Sequence, residues 1–161
     1  MIEDFDGRLA RLGVQLPQAP KPLYNYVPAL VSGNQVHVSG QLSFENGALR
    51  HRGKLGDDAT LDDARDAARL CGLNILAHVR NACGGTLNRV THCLRMTGYV
   101  NSTPDCTDQP AAMDGCSGLI VDIFGERGRH VRTCVGVAAL PLNGVIVVDA
   151  VFEIEPDVGG R

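Results

Sequence analysis

Two hydrophobic periods run along this chain, and each marks out its elements. In "IEDFDGRLARLGVQLP", Ile2, Phe5, Leu9 and Leu12 recur at the spacing of one helix face, and Gly13 and Pro17 end it. "APKPLYNYVPALVSG" follows, held extended because its three prolines restrict their neighbours. "NQVHVSGQLSFENGALR" alternates as a strand does and reverses at Glu45-Asn46-Gly47, a hairpin signal. The strongest helical pattern lies in "DDATLDDARDAARLCGLNILAHVRNACGG". There Ala64, Ala67, Ala68, Cys71, Ile75, His78 and Val79 form one stripe, Thr60 with Asp63 predicts a capping box, and Gly84-Gly85 is the stop. "RVTHCLRMTGYVNS" returns to strand. "QPAAMDGCSGLIVDIFGERG" is a second long helix, with Ala112, Cys116, Leu119, Ile120 and Ile123 on one face. Two strands joined by Pro-Leu-Asn-Gly close the chain. The order is a short helix followed by β-β-α-β-α-β-β, with two helices laid on one face of a sheet: one α+β domain.

The closing strands, "HVRTCVGVAALPLNGVIVVDAVFEIE", are apolar on both faces. On the first, Val131, Thr133 and Val135 alternate with Arg132, Cys134 and Gly136. On the second, Ile146, Val148, Ala150 and Phe152 alternate with Val147, Asp149 and Val151. A sheet with one solvated face shows polar residues at every second position. Helices cover one face only, so a partner subunit is expected to cover the other. This places Arg132 and Cys134 on the face away from the helices. An arginine among valines needs an anionic partner, which is either a structural ion pair or the carboxylate of a small ligand gripped by two parallel hydrogen bonds.

Composition narrows the choice by exclusion. The 161 residues are 44% hydrophobic and 20% charged, ordinary for a globular domain, and the net charge of −3 gives no general attraction to nucleic acid or anionic membrane. Aromatics at 4% leave few platforms for stacking bases. No apolar run spans a bilayer, and the acidic start is not a secretory signal, so a cytoplasmic location is expected. The six cysteines lack Cys-x-x-Cys spacing and read as reduced, packed thiols. His37, His51, His78, His92 and His130 are scattered, and no phosphate loop, hydrolase elbow or zinc-spaced set is present. No metal or other cofactor is expected.

"NYVPALVSGN", "VSGQL" and above all "VRTCVGVAALP" resemble the Rid family (RidA/YjgF, also called endoribonuclease L-PSP) from Tyr24 to Ile154. The resemblance implies a chorismate-mutase-like α+β fold, with residues 1–161 as one domain and 1–20 as a helical extension. It also implies a homotrimer with ligand clefts between subunits. The implied activity is hydrolysis of reactive enamines and imines, such as 2-aminoacrylate or a 2-imino acid, to a 2-keto acid and ammonia. Arg132 would then hold the substrate carboxylate, with Cys134 beside it, while Tyr26, Ser39 and Gly40 line the cleft.

The chain departs from the family at two positions. The acid expected in the last strand falls on Val147, with Asp149 two residues further on. An expected asparagine at the start of the second helix falls on Asp114, where an added anion disfavours a carboxylate ligand. The segment "NSTPDCTDQPAAMDG" is also long, which implies a remodelled cleft rim. The alternative reading is a non-catalytic trimer binding small carboxylates. A ribonuclease is disfavoured by the acidic balance and by the absence of a histidine pair at recognisable spacing.

Overall fold

The computed structural model describes residues 3–156, so Ile2, placed on the first helix face, lies outside the described residues. The first helix, α1 (Phe5–Arg11), buries Phe5 and Leu9 but leaves Leu12 exposed. Phe5 meets Phe124 edge-on with ring centroids 4.8 Å apart, which docks α1 onto the main core. Asn88 fastens its start, since its Oδ1 accepts from the backbone N–H of Phe5 (2.7 Å) and Asp6 (3.2 Å). The proline-rich segment ends in strand β1 (Ala29–Ser32), which turns into β2 (Gln35–Gln41). A small hairpin follows, β3 (Phe44–Glu45) and β4 (Ala48–Leu49), with Asn46 and Gly47 at φ 51° and 79°. Two positive φ values in succession are what a tight hairpin turn requires.

Helix α2 (Leu61–Ala82) starts at the capping box: Thr60 accepts from the Asp63 N–H, and the Asp63 carboxylate accepts from the Thr60 N–H. Those bonds lower the Asp63 pKa. All seven residues of the expected stripe are buried. Strand β5 (Val90–Asn101), helix α3 (Gln109–Phe124), strand β6 (Val131–Val137) and strand β7 (Ile146–Ile154) complete the fold. The five-stranded sheet runs β1-β2-β7-β5-β6, antiparallel except for the β5–β6 pair. Two parallel neighbours need a crossover, and α3 provides it. Helices α2 and α3 pack on each other and on one sheet face, in the α+β arrangement expected from the sequence. The core between them holds Ile75, Leu76, Met96, Ile120, Ile146 and Phe152, all fully buried. Each such side chain contributes about 1.5–3 kcal/mol by leaving water.

Cys71, Cys83, Cys93 and Cys116 are buried, and Cys106 and Cys134 are half-buried. Burial raises the thiol pKa values of Cys71 and Cys116 and pushes Cys93 up to about 12, so these groups pack as neutral hydrophobes. No helix among the described residues is long and apolar enough to cross a membrane.

One expectation is reversed. Arg132 and Cys134 do not face away from the helices; they point at α3, and Val131, Thr133 and Val135 take the open face instead. Alternation decides which residues share a face, not which face the helices take. Two strand glycines lie beneath α3 on this side. A Cβ on Gly136 would lie 2.6 Å from Ser102 Oγ and 2.8 Å from Gln109 Nε2; one on Gly98 would lie 2.8 Å from Met113 Sδ. The start of α3 fits against this side because the strands present no side chain there.

Candidate functional site

Arg132 leaves the edge strand β6 beneath the first half of α3. Its Nη1 donates to Asp114 Oδ1 (2.8 Å) and to Ser117 Oγ (3.2 Å), and its Nη2 donates to the Pro110 carbonyl (3.2 Å). Three of the five guanidinium N–H groups are thus held by one helix. The Nε–H and one Nη2–H have no partner among the described residues. The Arg132 side chain is 27% exposed and that of Asp114 64%. The guanidinium is therefore paired within its own chain but not sealed from solvent.

A directional hydrogen-bond chain extends from it. The Gly128 carbonyl can only accept, so the 2.6 Å contact fixes the proton of His130 on Nδ1. His130 Nε2 is then the acceptor for the Ser117 hydroxyl at 3.0 Å, while Ser117 Oγ accepts from Arg132. Burial, with Arg132 nearby, lowers the His130 pKa and favours the neutral ring. Beside this chain, Cys134 Sγ lies 3.2 Å from the Gln109 carbonyl, and burial pushes its thiol up to about 11. At neutral pH it is a thiol and lines the site without acting as a nucleophile. Gln109 also pins the long segment before α3, donating to Ser102 Oγ (3.0 Å) and to the Cys106 carbonyl (2.7 Å).

The other predicted residues gather elsewhere. Tyr26 and Gly40 line one shallow groove together with Lys21, Leu23, Pro28 and Leu42. A Cβ on Gly40 would lie 2.6 Å from Val147 Cγ1, so Gly40 and Val147 adjoin. The Ser39 backbone N–H donates to Pro28 O at 2.9 Å, while its Oγ is buried with no partner among the described residues. A roomier groove of about 560 Å³, between residues 17–23 and the β3–β4 hairpin, carries Lys21 as its one charged residue and gathers no set of reactive groups.

Asp149 is on the open sheet face, which it shares with Val147 two residues before it. It stands opposite Thr97, which stands opposite Thr133. Burial raises its pKa, against hydrogen bonds from Thr97 and Tyr99 and the charge of Arg95, all of which lower it. Arg95 donates to Thr133 Oγ1 at 3.3 Å. Within one chain, then, Arg132, Asp114 and Cys134 come together, Tyr26 and Gly40 form a second group beside Val147, Ser39 keeps its hydroxyl buried, and Asp149 joins neither Arg132 nor Asp114.

Sequence reasoning missed Ser117 and His130. The signal was available: Pro110, Asp114 and Ser117 sit at i, i+4 and i+7 on one helix face, and His130 precedes Arg132 by two on the same strand face. Among the described residues no group of three potential ligands is arranged to hold a metal ion.

Residues 6–154 match the protein-family model described as "YjgF/chorismate mutase-like, putative endoribonuclease". Protein TCP17 of Trypanosoma cruzi is 42% identical over 147 residues, spanning 91% of either chain. The crystal structure of protein Atu1372 from Agrobacterium tumefaciens matches at 42% identity and a TM-score of 0.87, covering 94% of this chain and 92% of that one. A Shewanella oneidensis MR-1 crystal structure, described as a "putative endoribonuclease", matches at 36% identity and a TM-score of 0.90, covering 94% and 100%.

Proposed function

The chain belongs to the YjgF/chorismate mutase-like family, and on that premise we propose that it hydrolyses reactive imines and enamines of small molecules in clefts between the subunits of a homotrimer. Family membership supports a small-molecule-processing role. The single observation that carries the finer reading is Arg132: a guanidinium on an edge strand, fixed by one helix, with two N–H groups still unengaged and part of its surface in solvent. Such a group is oriented before the ligand arrives, so little freedom is lost on binding.

The trimer is supported by what the protomer leaves uncovered. Exposed large apolar side chains cluster at Leu23, Tyr24, Tyr26, Val27, Leu30 and Val31, and on β6 at Val131 and Val135. Covering these against a second copy removes them from water and also protects the β6 edge. Assembly would set the Tyr26 and Gly40 wall of one copy against the Arg132 and Cys134 wall of the next.

In the proposed reaction, water adds to the C=N carbon, its proton passes to an acceptor, and the tetrahedral adduct expels ammonia to leave a carbonyl. An imine carbon is already electrophilic, so orientation and one proton acceptor suffice. Ammonia release from freshly generated 2-aminoacrylate, 2-imino acids and a primary aldimine without a carboxylate, measured against the uncatalysed background, tests the reading. A rate equal to background at every substrate rejects it. Val147 favours a second reading, binding of small carboxylates without turnover, because valine neither accepts nor relays a proton. Saturable calorimetric binding of a keto acid with no ammonia release would select it. The −3 charge and low aromatic content favour a small molecule over RNA in either case.

A further inference from the structure

We propose that Asp114 is a built-in occupant of the Arg132 clamp, which turns the site away from carboxylates and toward imines that carry no carboxylate. The inference rests on the reading of Arg132 as part of the ligand site. Asp114 and Arg132 meet at 2.8 Å, the distance of a charge-assisted hydrogen bond, so the pair is already neutral. An entering carboxylate must either displace Asp114 or sit beside it as a second anion, and both disfavour binding. Swinging the guanidinium away is no easier, because the same helix also holds it through Ser117 Oγ and the Pro110 carbonyl.

The arrangement suits a different ligand. Asp114 is 64% exposed, and its Oδ2 accepts no hydrogen bond among the described residues. That oxygen is free to accept from the N–H of a protonated imine, whose positive charge an anion stabilises. The free Arg132 N–H groups then face an uncharged oxygen, such as that of the attacking water or of the carbonyl it becomes. The step balances as imine plus water giving carbonyl plus ammonia, with no co-reactant. Asp114 thereby acts as the residue that sets substrate class.

The test compares wild type with Asp114→Asn, in which the amide oxygen still reaches Arg132 but the charge is gone. Pyruvate, which cannot turn over, is titrated calorimetrically into each full-length protein. Asp114→Asn should bind it about tenfold tighter than wild type, as expected for removing one like charge at close range, and adding Arg132→Gln to that variant should abolish the gain. Asp114→Ser provides the same comparison if Asp114→Asn does not fold. Equal affinities, or no binding by either protein, overturn the proposal. In a second arm, ammonia release is followed from a primary aldimine generated by an amine oxidase and from 2-iminopropionate generated by an amino-acid oxidase. Wild type should favour the aldimine and Asp114→Asn the imino acid; wild type favouring the imino acid overturns the proposal. If neither protein accelerates either substrate, the hydrolase reading falls, and the pyruvate titrations still decide the role of Asp114.

Discussion

The two sides of strand β6 carry nearly the same chemical parts. On the helix side are an arginine, an aspartate and a serine: Arg132, Asp114 and Ser117. On the open side are an arginine, an aspartate and threonines: Arg95, Asp149, Thr97 and Thr133. The parts are joined differently. Under α3 the cation binds the acid directly at 2.8 Å, and both keep contact with water. On the open face, Arg95 bonds to Thr133, while Asp149 is served by the hydroxyls of Thr97 and Tyr99. Burial there raises the Asp149 pKa, and the Asp149 charge raises that of Tyr99. A fixed, solvated ion pair suits ligand exchange. A half-buried acid ringed by hydroxyls and valines suits a surface that a neighbour covers.

Four substitutions test this contrast, the largest effect first. Arg132→Ala should lower ammonia release from the preferred imine by about 100-fold, the scale of losing an orienting charged group. The exposed ion pair itself contributes at most about 1 kcal/mol, so the melting temperature should move little. A large drop in thermal stability would make Arg132 a structural pair instead.

Val135→Asp, on the opposite face of the same strand, should convert the proposed trimer to monomer in sedimentation velocity, because it sets a charge in the apolar surface proposed to be covered. A trimer that survives it removes the open face from the interface.

Asp149→Asn should change how stability depends on pH. A carboxyl whose folded pKa is raised above 3.8 contributes stability at low pH that is lost as pH rises through the folded value. The stability of wild type relative to Asp149→Asn should therefore fall between about pH 4 and neutrality, and a flat difference across melting curves would contradict the assignment.

The smallest effect is expected for His130→Gln. His130 and the buried His78 both have lowered pKa values. They contribute stability that is present above the unfolded histidine value of about 6.5 and is lost as pH falls below it. The variant should lose part of that acid sensitivity and keep the part due to His78, read from melting temperatures between about pH 5 and 7.5.

Local pattern specified both long helices and the closing strands, but strand β1 (Ala29–Ser32), read only as an extended segment, became a strand by pairing with β2. A 3.6-residue stripe and a capping box specify α2 whatever lies above it, and Asn46-Gly47 specifies its turn, because these signals act between near neighbours in the chain. Alternation also showed that both faces of β6 and β7 were apolar, and it singled out Arg132. Long-range packing set which face of β6 the helices cover, and hence that Arg132 is met by Asp114, Ser117 and Pro110 from its own chain. Period two sorts residues into two sets and is silent on which set lies inward. The side taken is the one where α3 approaches the sheet closely, at Gly98 and Gly136, through contacts between positions far apart in sequence.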